Sequence, residues 1–391
     1  MTVSLDIGFL PLCDCAPLVV AHELGFAASE GLELRLRRER SWSALRDKLA
    51  LNRLDAAHML APVPVAMSMG LGGLPLKIDA LMVMSVNGDV IGVSQPVAER
   101  MRAAGPMPGF LDAAGMGRRL IDCAGDRPLR VAAPFPFSMH AELLYYWLDA
   151  LGLSAPASLT VRTVPPSMMP EALANGEVDV FCVGEPWGTE AVEAGAAELI
   201  LPGAAIWRFA PEKVLAARHD WTEENPEKTA ALMRAVWRAC RWLADPEAQG
   251  TAAEILSRGP YMDLPADRIE RALAGRLPSS RAGDEQHVPD FVLFHRGAAN
   301  FPWRSQALWI ARRIAARTGL DVEQAEAAAR ACFRADLYRA NLAPLGAPMP
   351  AASEKVEGAL SVPTEVAATV GEMLIGPDCF FDGRVFDPKA A

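Results

Sequence analysis

Strand-like and helix-like segments alternate through the first 212 residues, and the alternation restarts near Val90. TVSLDIG reads as a strand and PLVVAHELGFAASE as a helix. LELRL is a strand, and SWSALRDKLALNR is a helix with Ser41 as its N-cap. DAAHML and LKIDALMVMS follow as strands. The second round runs VIGVS, LRVAAP, the helix SMHAELLYYWLDALGL, LTVRTV, the helix PPSMMPEALANG, EVDVFCVG, and a helix from EPWGTEAVEAGA with Pro186 in its first turn. ELILPG and KVLAAR close it. Such alternation predicts parallel sheets covered by helices. The restart predicts two α/β lobes, the second inserted into the first: residues 1–88, then 89–212, then a return over 213–391 that is mostly helical to its end. Ligands of open α/β sheets bind beyond the carboxyl ends of the strands, here the cleft between lobes, and a two-lobed clamp closes by hinging.

Composition removes several functions. With 391 residues and 51% hydrophobic content the chain can bury a large core, and its net charge of −10 opposes direct nucleic-acid binding, which needs a basic face. The uncharged run from Ala56 to Leu76 is punctuated by prolines and glycines, so it reads as strand, loop and short helix rather than a membrane span. The seven cysteines are odd in number and contain no CxxC pair. Neither a disulfide framework nor a zinc site is expected. Cys13-Asp14-Cys15 reads as small apolar residues in a strand-to-helix turn, and His22, His58, His219, His287 and His295 as structural or exposed. No Lys or Arg precedes Arg35, and Asp6 and Asp14 interrupt the apolar start. The expectation is therefore no secretory leader and a cytoplasmic protein.

The blocks GFLPLCDCAPLVVAHELGF, SWSALRDKL, DAAHMLAPVPVAMSMGLGG, VDVFCVGEPW, PEKVLAAR and FDGRVFDP together span nearly the whole chain. They resemble the nitrate-binding protein family, which includes NrtA-type transporter subunits and a related bicarbonate binder. The resemblance implies an α/β, two-lobed, periplasmic-binding-protein-like (type II) clamp with an added helical C-terminal region. It implies a ligand, nitrate or nitrite, held by a Trp, a Gln, a His and a Lys, carried here onto Trp42, Gln95, His140 and Lys213. Pro165, Pro166 and Glu185 become wall or hinge elements. Lys213 favours nitrate over bicarbonate, with Glu212 directly before it. The chemistry is consistent: nitrate offers only acceptors and one negative charge, so it needs donors and a cation.

Three functions follow. Within the resemblance, a chain without an export signal looks like the NasS type of cytoplasmic nitrate/nitrite sensor. Such a sensor holds an ANTAR-domain RNA-binding antiterminator (NasT type) until nitrate binds. The alternative is the binding subunit of an ABC transporter, which needs export or fusion to the ATPase. A related-fold enzyme such as the thiamine pyrimidine synthase is the lesser alternative, since no GxSxG, P-loop or metal cluster is present. No cofactor, catalytic residue or metal ligand is expected.

Overall fold

The computed structural model describes residues 2–74, 76–125, 127–283 and 285–390. Ten strands build its two main sheets: β1 (Val3–Phe9), β2 (Leu32–Arg38), β3 (Ala56–Leu60), β4 (Ile78–Asn87), β5 (Asp89–Ser94), β6 (Leu129–Ala133), β7 (Leu159–Thr163), β8 (Val180–Gly184), β9 (Ala197–Pro202) and β10 (Pro211–Arg218). The first sheet has the order β4-β10-β3-β1-β2, with the short strand Val292–Leu293 outside β4; the second has β7-β6-β8-β5-β9.

The expected parallel sheets are in fact mixed. β1 pairs in parallel with β2 and β3, and β6 with β7 and β8. β10 runs antiparallel to β3 and β4, and β5 antiparallel to β8 and β9. The reason is connectivity. Parallel neighbours need a crossover helix, whereas β5 and β10 arrive as extended chain from the other lobe. β4 passes into β5 through Asn87 (φ 59°) and Gly88 (φ 101°), a turn that needs a residue tolerant of positive φ. The two crossing segments are cross-linked there. The Asn87 side-chain amide donates to the Arg208 carbonyl (2.9 Å), and the Ala210 N–H donates to Asn87 Oδ1 (3.1 Å). Because β10 already belongs to the first sheet, the return begins at Pro211 rather than 213.

Local signals held where a cap or a breaker was present. Ser41 caps the helix Trp42–Ala50 through the Ala44 N–H, and Ser138 caps Met139–Ala150 through the Ala141 N–H. The expected helix over 17–30 is two pieces, Ala16–Glu23 and Phe26–Ser29, separated at Gly25, whose φ of 75° ends a helix. The helix expected from 185 starts at Trp187, with Pro186 just ahead of it. The run from Ala56 gives β3 and the short helix Pro62–Ser68, and no helix among the described residues is long and apolar enough to cross a membrane. The return carries long helices such as Pro226–Leu243 and Arg304–Thr318, but its end is not helical. After Leu345 it is irregular chain and a hairpin of Thr364–Ala367 with Glu372–Ile375.

Candidate functional site

The strand ends of both sheets meet at one buried cluster. The first lobe supplies Asp14, from the short turn Cys13–Cys15 after β1, His58 on β3, Trp42 at the start of its helix, and Glu212 and Lys213 on β10. The second supplies His140 in the first turn of Met139–Ala150, Asp89 opening β5, and Cys182 and Gly184 ending β8. Asp14, Trp42, His58, His140, Glu212 and Lys213 are all buried. The lobes touch directly across this line. The Cys13 N–H donates to the Glu185 carbonyl (2.9 Å), and the Trp187 indole N–H donates to the Pro11 carbonyl (2.8 Å), so the clamp is closed.

Lys213 is the hub. Its Nζ lies 2.7 Å from Asp14 Oδ2 and 2.8 Å from Glu212 Oε1, and 5.4 Å from the centre of the Trp42 ring. Neighbours on a strand ordinarily face opposite sides of a sheet. Here the β10–β4 register shifts on both sides of Lys213, and this bulge lets the Glu212 carboxylate and the Lys213 ammonium meet. His58 Nε2 lies 2.9 Å from Asp14 Oδ1, and His140 Nδ1 lies 3.1 Å from Glu212 Oε1.

The charges sort themselves. Burial opposes the Lys213 ammonium, but Asp14 and then Glu212 outweigh it and its pKa rises. Burial would raise Asp14, yet Lys213 and His58 hold it well below the carboxylate range. Glu212 goes the other way. Burial, helped by Asp89 and Asp14 and opposed by Lys213, pushes it up to about 8. Burial also raises Asp89, and raises Glu185 to about 7. Burial keeps His140 well below its ordinary value, with Lys213 adding to it, and lowers His58 against the pull of Asp14. The His140–Glu212 contact is therefore one between neutral groups at neutral pH, not an ion pair. Several buried polar atoms in the cluster have no hydrogen-bond partner among the described residues: Trp42 Nε1, His140 Nε2, His58 Nδ1, Glu212 Oε2 and Asp89 Oδ1. Buried donors and acceptors are nearly always paired, so this group of orphans makes the cluster a candidate place for a small polar ligand.

These shifts set a pH dependence of stability. Glu212 and Glu185 are raised above 4.5 to about 8 and about 7, so between those values the folded chain holds more protons than the unfolded one. Their contribution is full below about pH 4.5 and is lost as pH rises towards 8. Asp14 has the opposite sign and loses its contribution as pH falls below the ordinary carboxyl value. Below about pH 6.5 the buried His140 and His58 count the other way, because burial lowers them, so the expected outcome is a ligand-free melting temperature that declines from about pH 7 to about pH 8.5. Glu185→Gln should flatten part of that slope in a scanning-calorimetry series, and an unchanged slope would remove Glu185 as a cause.

Trp42, His140 and Lys213 are thus brought together. Gln95 is not. It follows β5, and at about 3.3 Å per residue it sits roughly 20 Å from Asp89, at the far end of the second sheet. There its side-chain amide donates to the Ala197 carbonyl (3.1 Å), beside Arg100 and Arg127 on an outer groove. Asp89 occupies the β5 position that faces the cluster. Pro166 lines a small cavity of about 60 Å³ with Pro11, Arg40 and Trp187, at the mouth between the lobes, and Pro165 precedes it. Glu185 is buried behind the cluster, its Oε2 accepting from the Thr189 N–H (3.2 Å).

Asp14, His58, Asp89 and Glu212 were missed as site residues. A signal existed for two of them. Asp14 is the only charged residue between Ile7 and Ala21, and His58 the only ionisable one between Ala56 and Leu76. A polar group alone in an apolar run must find a buried partner. Elsewhere, Asp79, His219 and Glu223 lie within metal-binding distance of one another, but Arg334 donates to Asp79 (2.7 Å) and Glu223 (2.9 Å), making a salt-bridge cluster.

The family model described as the NMT1-like family matches residues 1–257. The nitrate/nitrite binding protein NrtA of Nostoc sp. strain PCC 7120 is 30% identical over 314 residues, covering 79% of this chain and 69% of that protein. The chain belongs to the NMT1-like family and, within it, to the NrtA-like nitrate-binding family. The nitrate import ATP-binding protein NrtC of Synechocystis sp. strain PCC 6803 is 34% identical over 80% of this chain, which spans only 46% of that relative. The crystal structure of the periplasmic nitrate-binding protein NrtA from Synechocystis PCC 6803 superposes with a TM-score of 0.85 at 26% identity, covering 99% of this chain and 96% of that one. The fold is that of solute-binding proteins; the alkanesulfonate-binding protein SsuA from Xanthomonas axonopodis pv. citri shares it at a TM-score of 0.58 and 18% identity.

Proposed function

We propose that this chain binds one nitrate or nitrite between its lobes and acts as the binding component of an ABC importer. The carrying observation is the sealed cluster around Lys213, where one buried cation meets the unpartnered Trp42 Nε1 and His140 Nε2 at the closing line of the lobes. The Lys213 ammonium and the Trp42 indole N–H are donors, which match an anion that only accepts hydrogen bonds. The His140 helix adds the positive potential of its N-terminus. The relationship to NrtA supports the same ligand class. Calorimetry with nitrate, nitrite, chloride and bicarbonate is the test. Saturable binding of nitrate or nitrite at one per chain, with chloride not competing, is expected. Binding of bicarbonate alone would replace the ligand.

A second reading shares this site: a cytoplasmic sensor that holds an ANTAR-domain antiterminator when unliganded and releases it when nitrate closes the cleft. It rests on the same site geometry and not on the relatives, whose names speak for import. Fractionation of native cells and co-purification with and without nitrate separate the readings. Periplasmic protein leaves only transport, whereas a nitrate-dissociable antiterminator complex leaves only the sensor.

A further inference from the structure

We propose that Glu212 is a specificity-determining residue that acts as a neutral carboxylic acid, donating its O–H from Oε2 to the bound oxyanion, so that anion and proton are held together. The inference rests on the oxyanion reading above and deepens it.

The geometry carries it. One ammonium, Lys213 Nζ, is shared by two carboxyl groups, Asp14 at 2.7 Å and Glu212 at 2.8 Å, with no exposure to solvent. A single positive charge balances one carboxylate, and Asp14 claims it, reinforced by His58 Nε2 at 2.9 Å. An ionised Glu212 would then be a second, uncompensated charge in a buried box, and an entering nitrate a third. The groups facing Glu212 from the other elements offer no relief. They are Asp14 on the turn after β1, Asp89 opening β5, the Cys182 thiol on β8 and His140 on its helix. None is a cation at neutral pH, and two are acids. Burial and these acids raise the carboxyl pKa against the pull of Lys213. Within the carboxyl, Oε1 already accepts from Lys213, while Oε2 is buried and has no partner, so it is the oxygen left to carry and donate a proton.

The consequence is a choice between ligands. Nitrate and nitrite only accept hydrogen bonds, so they need the protonated form and are repelled by the ionised one. Bicarbonate has an O–H of its own and can donate to an ionised carboxylate. Protonation at Glu212 therefore sorts acceptor-only anions from hydrogen-bond-donating ones.

The test is calorimetric titration of nitrate, with nitrite in parallel, at about pH 6.5 and about pH 9.5, each in two buffers of different ionisation enthalpy. For the full chain the expected result is a Kd that rises roughly thirtyfold between the two, with proton uptake near zero at the lower pH and approaching one per anion at the higher. Glu212→Gln, which keeps a neutral donor at every pH, should bind nitrate with the same Kd at both values and with no Glu212-linked proton uptake. A flat profile with no proton uptake in the parent chain overturns the proposal, as does a folded Glu212→Gln chain that keeps the parent's pH dependence or binds at neither pH. The parent's proton uptake stands alone if Glu212→Gln does not fold. If the parent binds neither anion at either pH, the oxyanion reading itself fails and this inference with it.

Discussion

Lys213→Ala should take nitrate binding below calorimetric detection and lower the melting temperature of the ligand-free chain. A ligand of four heavy atoms gains about 6 kcal/mol at the upper limit for tiny ligands, whereas a micromolar Kd needs about 8 kcal/mol. The rest must come from charge, and a cation about 4 Å away is worth up to about 4 kcal/mol at an effective dielectric of 20. Among the described residues Lys213 is the one cation of the cluster, so its loss shifts affinity by up to roughly a thousandfold. The stability effect has a separate cause. Truncation strands Asp14, which Lys213 holds ionised, and breaking a buried pair costs about 3–5 kcal/mol. That cost should shrink near pH 5, where an unsupported Asp14 can take up a proton. Parental nitrate affinity in Lys213→Ala would move the site elsewhere, and an unshifted melting temperature would contradict the closed geometry.

Gly184→Val should abolish binding by a different route, with little loss of stability. Gly184 ends β8 in the second lobe and faces the first. A Cβ there would lie 2.6 Å from Leu12 Cδ2 and 3.7 Å from both Asp14 Oδ2 and His140 Nε2. The tip of Leu12 can move aside for one methyl group, but valine's branches fill the seam where the lobes meet. Each sheet keeps its own packed layers, so the lobes stay folded but cannot close. A ligand shifts a two-state equilibrium only by its differential affinity, and donors split between lobes act together only when closed. Nitrate affinity should fall by a hundredfold or more, about 3 kcal/mol, and small-angle scattering should show an expanded chain with or without nitrate. Full affinity, or a scattering profile that still contracts on adding nitrate, would show that closure does not need this contact.

These two residues mark the limit of what the sequence makes legible. Lys213 could be named from a motif because its neighbours in sequence form a recognisable block. Gly184 could not, because its importance comes from Leu12, which lies 172 residues away in the chain. The Gln95 assignment failed for a related reason. A strand reads the same from either end, and only the antiparallel direction of β5 decides that Asp89 faces the cleft while the residue after Ser94 does not.

Local chemistry in the sequence was enough for much of the fold. Ser41 and Ser138 fix two helix starts because a side-chain oxygen satisfies a nearby N–H, and the restart at Val90 announces the second lobe. These depend on contacts within a few residues, so they survive without knowledge of the rest. The directions of β5 and β10, the bulge that turns Glu212 and Lys213 to one side, and the meeting of Asp14, His58, Asp89 and His140 around one ammonium were decided only in three dimensions. Each joins segments far apart in the chain. Burial then sets the charges, because an acid whose ionisation is unremarkable in water becomes neutral when a single cation must serve two carboxyl groups out of solvent.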